Sequence, residues 1–146
     1  MASGRAHAAL STVALVAVPV ALWAYHVEVP IGAVMAGLGV GLCITPDLDL
    51  PMRTHEERRR MIGPLLRVLF WPYSRRGTHR DWRHWPILGT LFRVLYLGLP
   101  FWAAAMLLGA TVPSVPPEWI AWAFVGWCTQ DILHWAADGG LWRGRI

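Results

Sequence analysis

Apolar residues occur in four long runs that are separated by polar segments. The runs cover approximately residues 8–25, 29–44, 87–110 and 118–137. About 20 apolar residues in a helix are enough to span a bilayer, so this pattern predicts an all-α integral membrane protein with four transmembrane helices. The second run is short for a full crossing, but its glycines suit close helix–helix contact. These are Gly32, Gly37, Gly39 and Gly41.

Composition supports a membrane protein with a single domain, residues 1–146. The chain is 55% hydrophobic and only 15% charged, and a soluble domain of this length would have difficulty covering so much apolar surface. The first run could also be a secretory signal, since Arg5 precedes it. Its length, Pro19 and the lack of a small-residue cleavage site favour a retained helix instead.

The basic residues predict the orientation of the four helices. All 13 are arginine, and none lies between runs one and two or between runs three and four. Arginines occur instead at both ends of the chain and in the loop 45–86. The positive-inside rule therefore places both termini and this loop in the cytoplasm of a multi-pass inner-membrane protein. Within the loop, residues 55–73 predict a short helix at the membrane surface or, alternatively, a segment packed over the bundle.

This topology gathers acidic and histidine side chains at the cytoplasmic ends of all four helices. Asp131, His134 and Asp138 are spaced i, i+3 and i+7, which puts them on one helical face. In TPDLDLP (45–51) the flanking prolines favour an extended backbone that would direct Asp47 and Asp49 the same way. The candidate metal ligands are His7, Asp47, Asp49, His79, His84, Asp131, His134 and Asp138.

Carboxylates and imidazoles in one partly dry layer favour a divalent cation. Mixed nitrogen and oxygen ligands suit Zn²⁺ first, with Mn²⁺ or Fe²⁺ as alternatives. The eight candidates exceed what one ion needs, so either two ions bind or some residues orient the ligands. Asp49 alone could be a turn residue, and Asp131 with His134 could form a structural hydrogen bond. His79 and His84 could bind lipid phosphates together with Arg80 and Arg83.

Five blocks of sequence carry a resemblance to a known family. They are SGRAH (3–7), PDLDLP (46–51), GPLLRVLFWPY (63–73), HRDWRHWPILGTLFRVLYL (79–97) and DILHWAADG (131–139). In this order the chain resembles uncharacterised bacterial membrane metal-binding proteins, which are similar in turn to damage-inducible, membrane-bound metal-dependent hydrolase-like proteins. The resemblance implies a multi-pass helical protein with a metal site on these aspartates and histidines. Arg83 stands where many relatives have Ser or Thr.

The sequence leaves three alternative functions to be weighed. The first is a metal-dependent hydrolase acting on a phosphoester or lipid-linked substrate, with Asp49, Arg80 and Arg83 as candidate catalytic residues. The second is a non-catalytic, metal-stabilised membrane scaffold or partner subunit. The third, a transporter, is disfavoured because the outer halves of the runs carry almost no polar residues. Membrane lipid is the expected partner and nucleic acid is not, while a homo-oligomer is compatible with the sequence.

Overall fold

The computed structural model describes residues 4–49, 63–74, 85–111 and 113–139, and these are all-α as the sequence predicts. No strand occurs within these ranges. The described ranges contain five α-helices: α1 (Gly4–Ala24), α2 (Ile31–Cys43), α3 (Gly63–Ser74), α4 (Pro86–Leu107) and α5 (Pro117–Ala137). The four apolar runs correspond to α1, α2, α4 and α5. Helix α3 covers the apolar half of the predicted surface segment, and residues 55–62 of that segment lie outside the described ranges.

The segment after α2 differs from its prediction. Residues Pro46–Asp49 form a short 3₁₀ helix, not an extended segment. Successive residues of a 3₁₀ helix are about 120° apart around the axis, so this backbone does not align positions 47 and 49 as an extended one would. The fixed φ of Pro46 is also allowed in a 3₁₀ helix, so proline at this position does not require an extended backbone.

Helices α2 and α5 make the most extensive contact of the bundle. A Cβ on Gly37 would lie 1.8 Å from the Ala123 carbonyl oxygen, and one on Gly126 would lie 2.3 Å from the Val34 carbonyl oxygen. Only glycine permits backbones to approach this closely. The Cβ of Gly41 would meet Gln130, so the contacts advance in the same direction along both helices. The two helices therefore run parallel.

Helices α1 and α4 run antiparallel to this pair. Gln130 of α5 donates a hydrogen bond from Nε2 to the Ser11 carbonyl of α1 at 2.9 Å and lies 3.3 Å from the Leu38 carbonyl of α2. Thr90, near the start of α4, contacts Asp131 of α5. The first turns of α1 and α4 thus lie at the same end of the bundle as the last turns of α2 and α5.

Helix α3 packs through aromatic rings against α4. Tyr73 and Tyr96 have ring centroids 5.4 Å apart, and Phe70 packs at an edge against Tyr73 with centroids 5.5 Å apart. The Tyr96 hydroxyl donates a hydrogen bond to the Leu69 carbonyl at 2.6 Å. Helix α3 also contacts the 3₁₀ turn, so it supports the segment that follows α2.

Many large apolar side chains are exposed on these helices. Val16, Trp23 and Leu107 are 64%, 73% and 88% exposed, and such large exposed apolar surfaces mark contact with lipid or protein. The buried part of the described chain contains apolar residues such as Leu38 and Phe70 and also nine polar or charged ones: His7, Ser11, Thr45, Thr90, Arg93, Gln130, Asp131, His134 and Asp138. Among the described residues, the helices His7–Ala24 and Pro86–Leu107 are long and apolar enough to cross a membrane. All four membrane crossings stay a prediction.

The α2–α5 contact can be tested with a matched pair of glycines. Gly37→Ala adds a methyl group where backbone atoms already lie, so we expect a loss of about 1–3 kcal/mol in the free energy of unfolding. Gly39 has no atom within 4 Å of an added Cβ, and Gly39→Ala should raise stability by up to ~1 kcal/mol through helix propensity. Thermal unfolding of the purified variants measures both. Equal effects at the two positions would contradict the backbone contact.

Candidate metal centre

Four predicted ligands converge where the helices meet at one end of the bundle. His7 lies in the first turns of α1, Asp47 in the 3₁₀ turn after α2, and His134 in the last turn of α5. Asp138 is the C-cap residue of α5. Asp138 lies four residues after His134, so it is on the same face of α5. Gly139 follows with a φ of 92° and ends the helix.

The side chains of these four residues form one connected cluster. His7 Nε2 lies 3.2 Å from Asp138 Oδ1, and His134 Nε2 lies 3.3 Å from Asp47 Oδ1. His134 Nε2 is also 3.8 Å from Asp138 Oδ2. The two imidazole rings stack with centroids 4.1 Å apart. One potential ligand atom from each of His7, His134 and Asp138 lies within 4.8 Å of the other two, which is a spacing that a single ion could bridge.

The electrostatic environment favours a cation. His7, His134 and Asp138 are 6%, 3% and 7% exposed, whereas the side chain of Asp47 is 21% exposed. Both aspartates follow the C-terminal ends of helices, where the helix dipole is negative and a carboxylate is unfavourable. One buried and one half-buried carboxylate in that position need positive charge nearby. Either protonated histidines or a divalent metal ion would supply it.

The donor chemistry of His7 fits a metal ion. One ring nitrogen faces Asp138, and the other, Nδ1, is buried with no hydrogen-bond partner among the described residues. A histidine that donates one N–H to a carboxylate and binds metal through its other nitrogen is the usual arrangement in metalloproteins. An unpartnered buried nitrogen otherwise costs free energy. The residues present therefore suit a borderline divalent cation with nitrogen and oxygen ligands.

Asp131 occupies a different environment from the four clustered residues. Its carboxylate accepts a hydrogen bond from Arg93 Nη2, and Thr90 Oγ1 contacts both this carboxylate and the Pro86 carbonyl. Arg93, Thr90 and Asp131 are fully buried. The structure thus places Asp131 one helical turn deeper than His134, in an ion pair between α4 and α5.

Sequence reasoning missed two buried polar residues next to this cluster. Arg93 is the sole arginine inside the four apolar runs, and a charged residue within such a run should have indicated a buried partner. Gln130 precedes Asp131 and is 1% exposed, with its amide linking α5 to the backbones of α1 and α2. Its position one turn before His134 on an apolar helix was the available signal.

Several predicted site residues are not placed. His79, His84, Arg80 and Arg83 lie outside the described residues. The backbone of Asp49 belongs to the 3₁₀ turn, but its side chain is outside the described part of the chain. The geometry above therefore concerns four of the eight predicted ligands, with Asp131 as a fifth residue in the neighbouring layer.

The fold and the site define an all-helical protein whose buried histidine–aspartate cluster is suited to a metal ion. Over residues 2–142 the chain matches the family described as uncharacterized metal-binding protein (DUF2227). It belongs to that family. No curated protein and no solved structure matches the chain.

Histidine substitutions test the cluster against a matched control. His134→Asn removes a ligand within the cluster, and we expect a loss of metal affinity greater than the roughly 10–100-fold typical of residues that only orient a ligand. His26 is exposed with a φ of 51°, a conformation that asparagine tolerates, so His26→Asn should bind metal normally. Elemental analysis and chelator competition on purified protein measure the difference. Normal metal content in His134→Asn would refute the site.

Proposed function

We propose that the protein is a multi-pass inner-membrane protein that binds a divalent metal ion at its cytoplasmic face and hydrolyses a phosphoester or lipid-linked substrate there. The observation that carries the proposal is the buried cluster of His7, His134 and Asp138 with Asp47 beside it. Zinc is the first expectation, with manganese or iron as alternatives, because the donors are nitrogen and oxygen. Family membership supports metal binding in general.

The membrane location is supported by polarity and by helix direction. Many large apolar side chains are exposed on the described helices, and several polar and charged ones, such as Arg93, Gln130 and Asp131, are buried between them. In a bilayer this arrangement satisfies both, since lipid replaces water around the apolar surface and polar groups find partners inside. Four crossings with both termini on one side would also make the second and fourth helices parallel, as α2 and α5 are.

Hydrolysis requires that water and substrate reach the ion. A bound Zn²⁺ would lower the pKa of a coordinated water to about 7 and polarise the bond under attack. Asp47 is the most exposed of the four clustered ligands, so substrate would approach from its side, where the 3₁₀ turn also carries Asp49. Asp49 would take up a proton from the attacking water. Arg80 and Arg83 would hold the anionic group of the substrate and stabilise its developing charge.

The burial of three ligands favours a second candidate function. His7, His134 and Asp138 are each more than nine-tenths buried, and structural metal sites are closed by protein ligands. A structural ion would lock α1, α2 and α5 together in a membrane scaffold or partner subunit. The two functions differ in what metal removal does, because a structural ion contributes its binding free energy directly to folding.

Membrane insertion is tested by fractionation and reporter fusions. We expect the protein to remain in the membrane after alkaline carbonate washing, because its helices would be integral. Fluorescent protein fused to either terminus should fluoresce, and alkaline phosphatase fused there should be inactive, because both termini would face the cytoplasm. Release by carbonate, or active phosphatase at one terminus, would contradict the proposed topology.

Hydrolysis is tested by separating metal binding from turnover. Purified metal-loaded protein in mixed micelles should release phosphate from a phosphomonoester or a lipid phosphate. Arg80→Gln and Arg83→Gln should keep full metal content but lower kcat/KM by roughly 100-fold or more, as expected when a group stabilising transition-state charge is lost. Arg145→Gln, which removes an arginine near the C-terminus, serves as the control.

The scaffold alternative is tested by removing the metal ion with a chelator. If the ion is structural, its removal should collapse thermal stability, since saturation at 100 times Kd adds about 2.7 kcal/mol to the free energy of unfolding. No phosphate release from any of these substrates, together with such a collapse, would favour the scaffold over the hydrolase.

A further inference from the structure

A buried ion pair lies beside the metal centre and has no part in the ligand set described above. Arg93 and Asp131 are both 0% exposed, and the side chain of Thr90, also 0% exposed, contacts the same carboxylate. Arg93 comes from α4 and Asp131 from α5. Asp131 precedes His134 by three residues on α5, and side chains at this spacing on one helix are neighbours.

Stability alone does not account for this pair. Burying two charges costs several kcal/mol per ion before their attraction is counted, and well-packed apolar residues often serve as well or better. An apolar contact could hold α4 against α5 without arginine. The position of the pair points to a different role, because Asp131 lies on the same helical face as His134 and Asp138. Without a partner, its carboxylate would be a third negative charge beside the metal ligands, after those of Asp47 and Asp138.

The charges of the described residues fit one divalent ion. Asp47 and Asp138 carry two negative charges, and with neutral imidazoles at His7 and His134 one divalent cation compensates them. Asp131 would add a third negative charge, which Arg93 neutralises. The second carboxylate oxygen of Asp131, Oδ1, is buried without a hydrogen-bond partner among the described residues. This oxygen could act as a ligand atom for another cation if Arg93 were not bound to the same carboxylate.

We propose that Arg93 is a positioning residue that sets the charge and ion stoichiometry of the metal centre. By holding Asp131 in an ion pair, it removes this carboxylate from the ligand set and restricts the site to a single divalent ion. The inference rests on the metal site proposed above. It predicts effects of opposite sign when the two members of the pair are removed one at a time.

The experiment is a double-mutant cycle read by metal content and affinity. Wild-type protein should bind one Zn²⁺ or Co²⁺ per chain. Arg93→Gln leaves Asp131 uncompensated, so it should bind a second ion or bind the first on the order of 10-fold or more tightly. Asp131→Asn removes a negative charge beside the ligands while the positive charge of Arg93 remains, so it should weaken binding by a similar factor. The double variant should return to within about threefold of wild type, because both charges are gone.

Two further measurements separate charge from folding. Arg93→Lys keeps the positive charge and should keep a single ion, which covers the case in which Arg93→Gln fails to fold. The visible absorption of bound Co²⁺ reports coordination number and should change in Arg93→Gln but not in Arg93→Lys. A pair that only holds the helices together would lower the unfolding temperature in both single variants and leave stoichiometry and affinity unchanged.

The outcomes distinguish this inference from the proposed function. Wild-type protein that folds but binds no metal would overturn the metal site itself. A single ion bound with equal affinity in the wild type, Arg93→Gln and Asp131→Asn would overturn only the role of Arg93. Two ions in the wild type would also overturn it, because the pair would then not restrict the site.

Discussion

The backbone contact between α2 and α5 determines how Asp47, which follows α2, meets His134 and Asp138 at the end of α5. Gly37 and Gly126 allow the two helices to touch through main-chain atoms, and this contact fixes their register because a bulkier residue at either position would clash with a carbonyl oxygen. The same register pairs Gly41 with Gln130 and, one step further along the parallel helices, Asp47 with His134. The site is thus the continuation of a packing interface beyond the end of α2.

The environment created by this packing explains why the buried groups are charged in pairs or clusters. Inside an apolar bundle a lone carboxylate is strongly unfavourable, so each must meet a cation or a proton. Asp131 meets Arg93, and Asp138 meets His7 and His134. Each group leaves a buried atom without a hydrogen-bond partner among the described residues, Asp131 Oδ1 in the first and His7 Nδ1 in the second. The first group contains a permanent cation, the Arg93 guanidinium, whereas the second contains only imidazoles beside its carboxylate.

Sequence reasoning was most successful where a single physical signal decided the structure. Apolar runs of about 20 residues predicted α1, α4 and α5 because burial of such a run in a helix is favourable whatever its partners are. The i, i+3 and i+7 spacing placed Asp131, His134 and Asp138 on one face because a helix has a period of 3.6 residues. The apolar runs also placed the helix ends within a few residues. Helices α4 and α5 begin at Pro86 and Pro117, one residue before the predicted runs.

What the sequence did not predict depends on contacts between distant segments. The turn at Asp47 was expected to be extended because proline permits that conformation, but the packing of α3 against this turn accompanies a 3₁₀ helix. The separation of Asp131 from the cluster required Arg93, which is 38 residues earlier in the chain. Periodicity places both residues on helices without specifying that the two helices meet there.

The support of Asp47 differs from that of the other three clustered residues, and this bears on what the site can do. His7, His134 and Asp138 belong to long helices or their caps, so their positions are fixed by the packing of α1 and α5. Asp47 belongs to a four-residue turn that contacts α3, and α3 is anchored to α4 through the Tyr96 hydroxyl and a group of aromatic rings. The position of Asp47 therefore depends on α3 as well as on α2, whereas the positions of the other three depend on α1 and α5. In the proposed hydrolase, the ligand on the short turn would be the one that moves to open a coordination position to water, while the three ligands on long helices keep the ion bound.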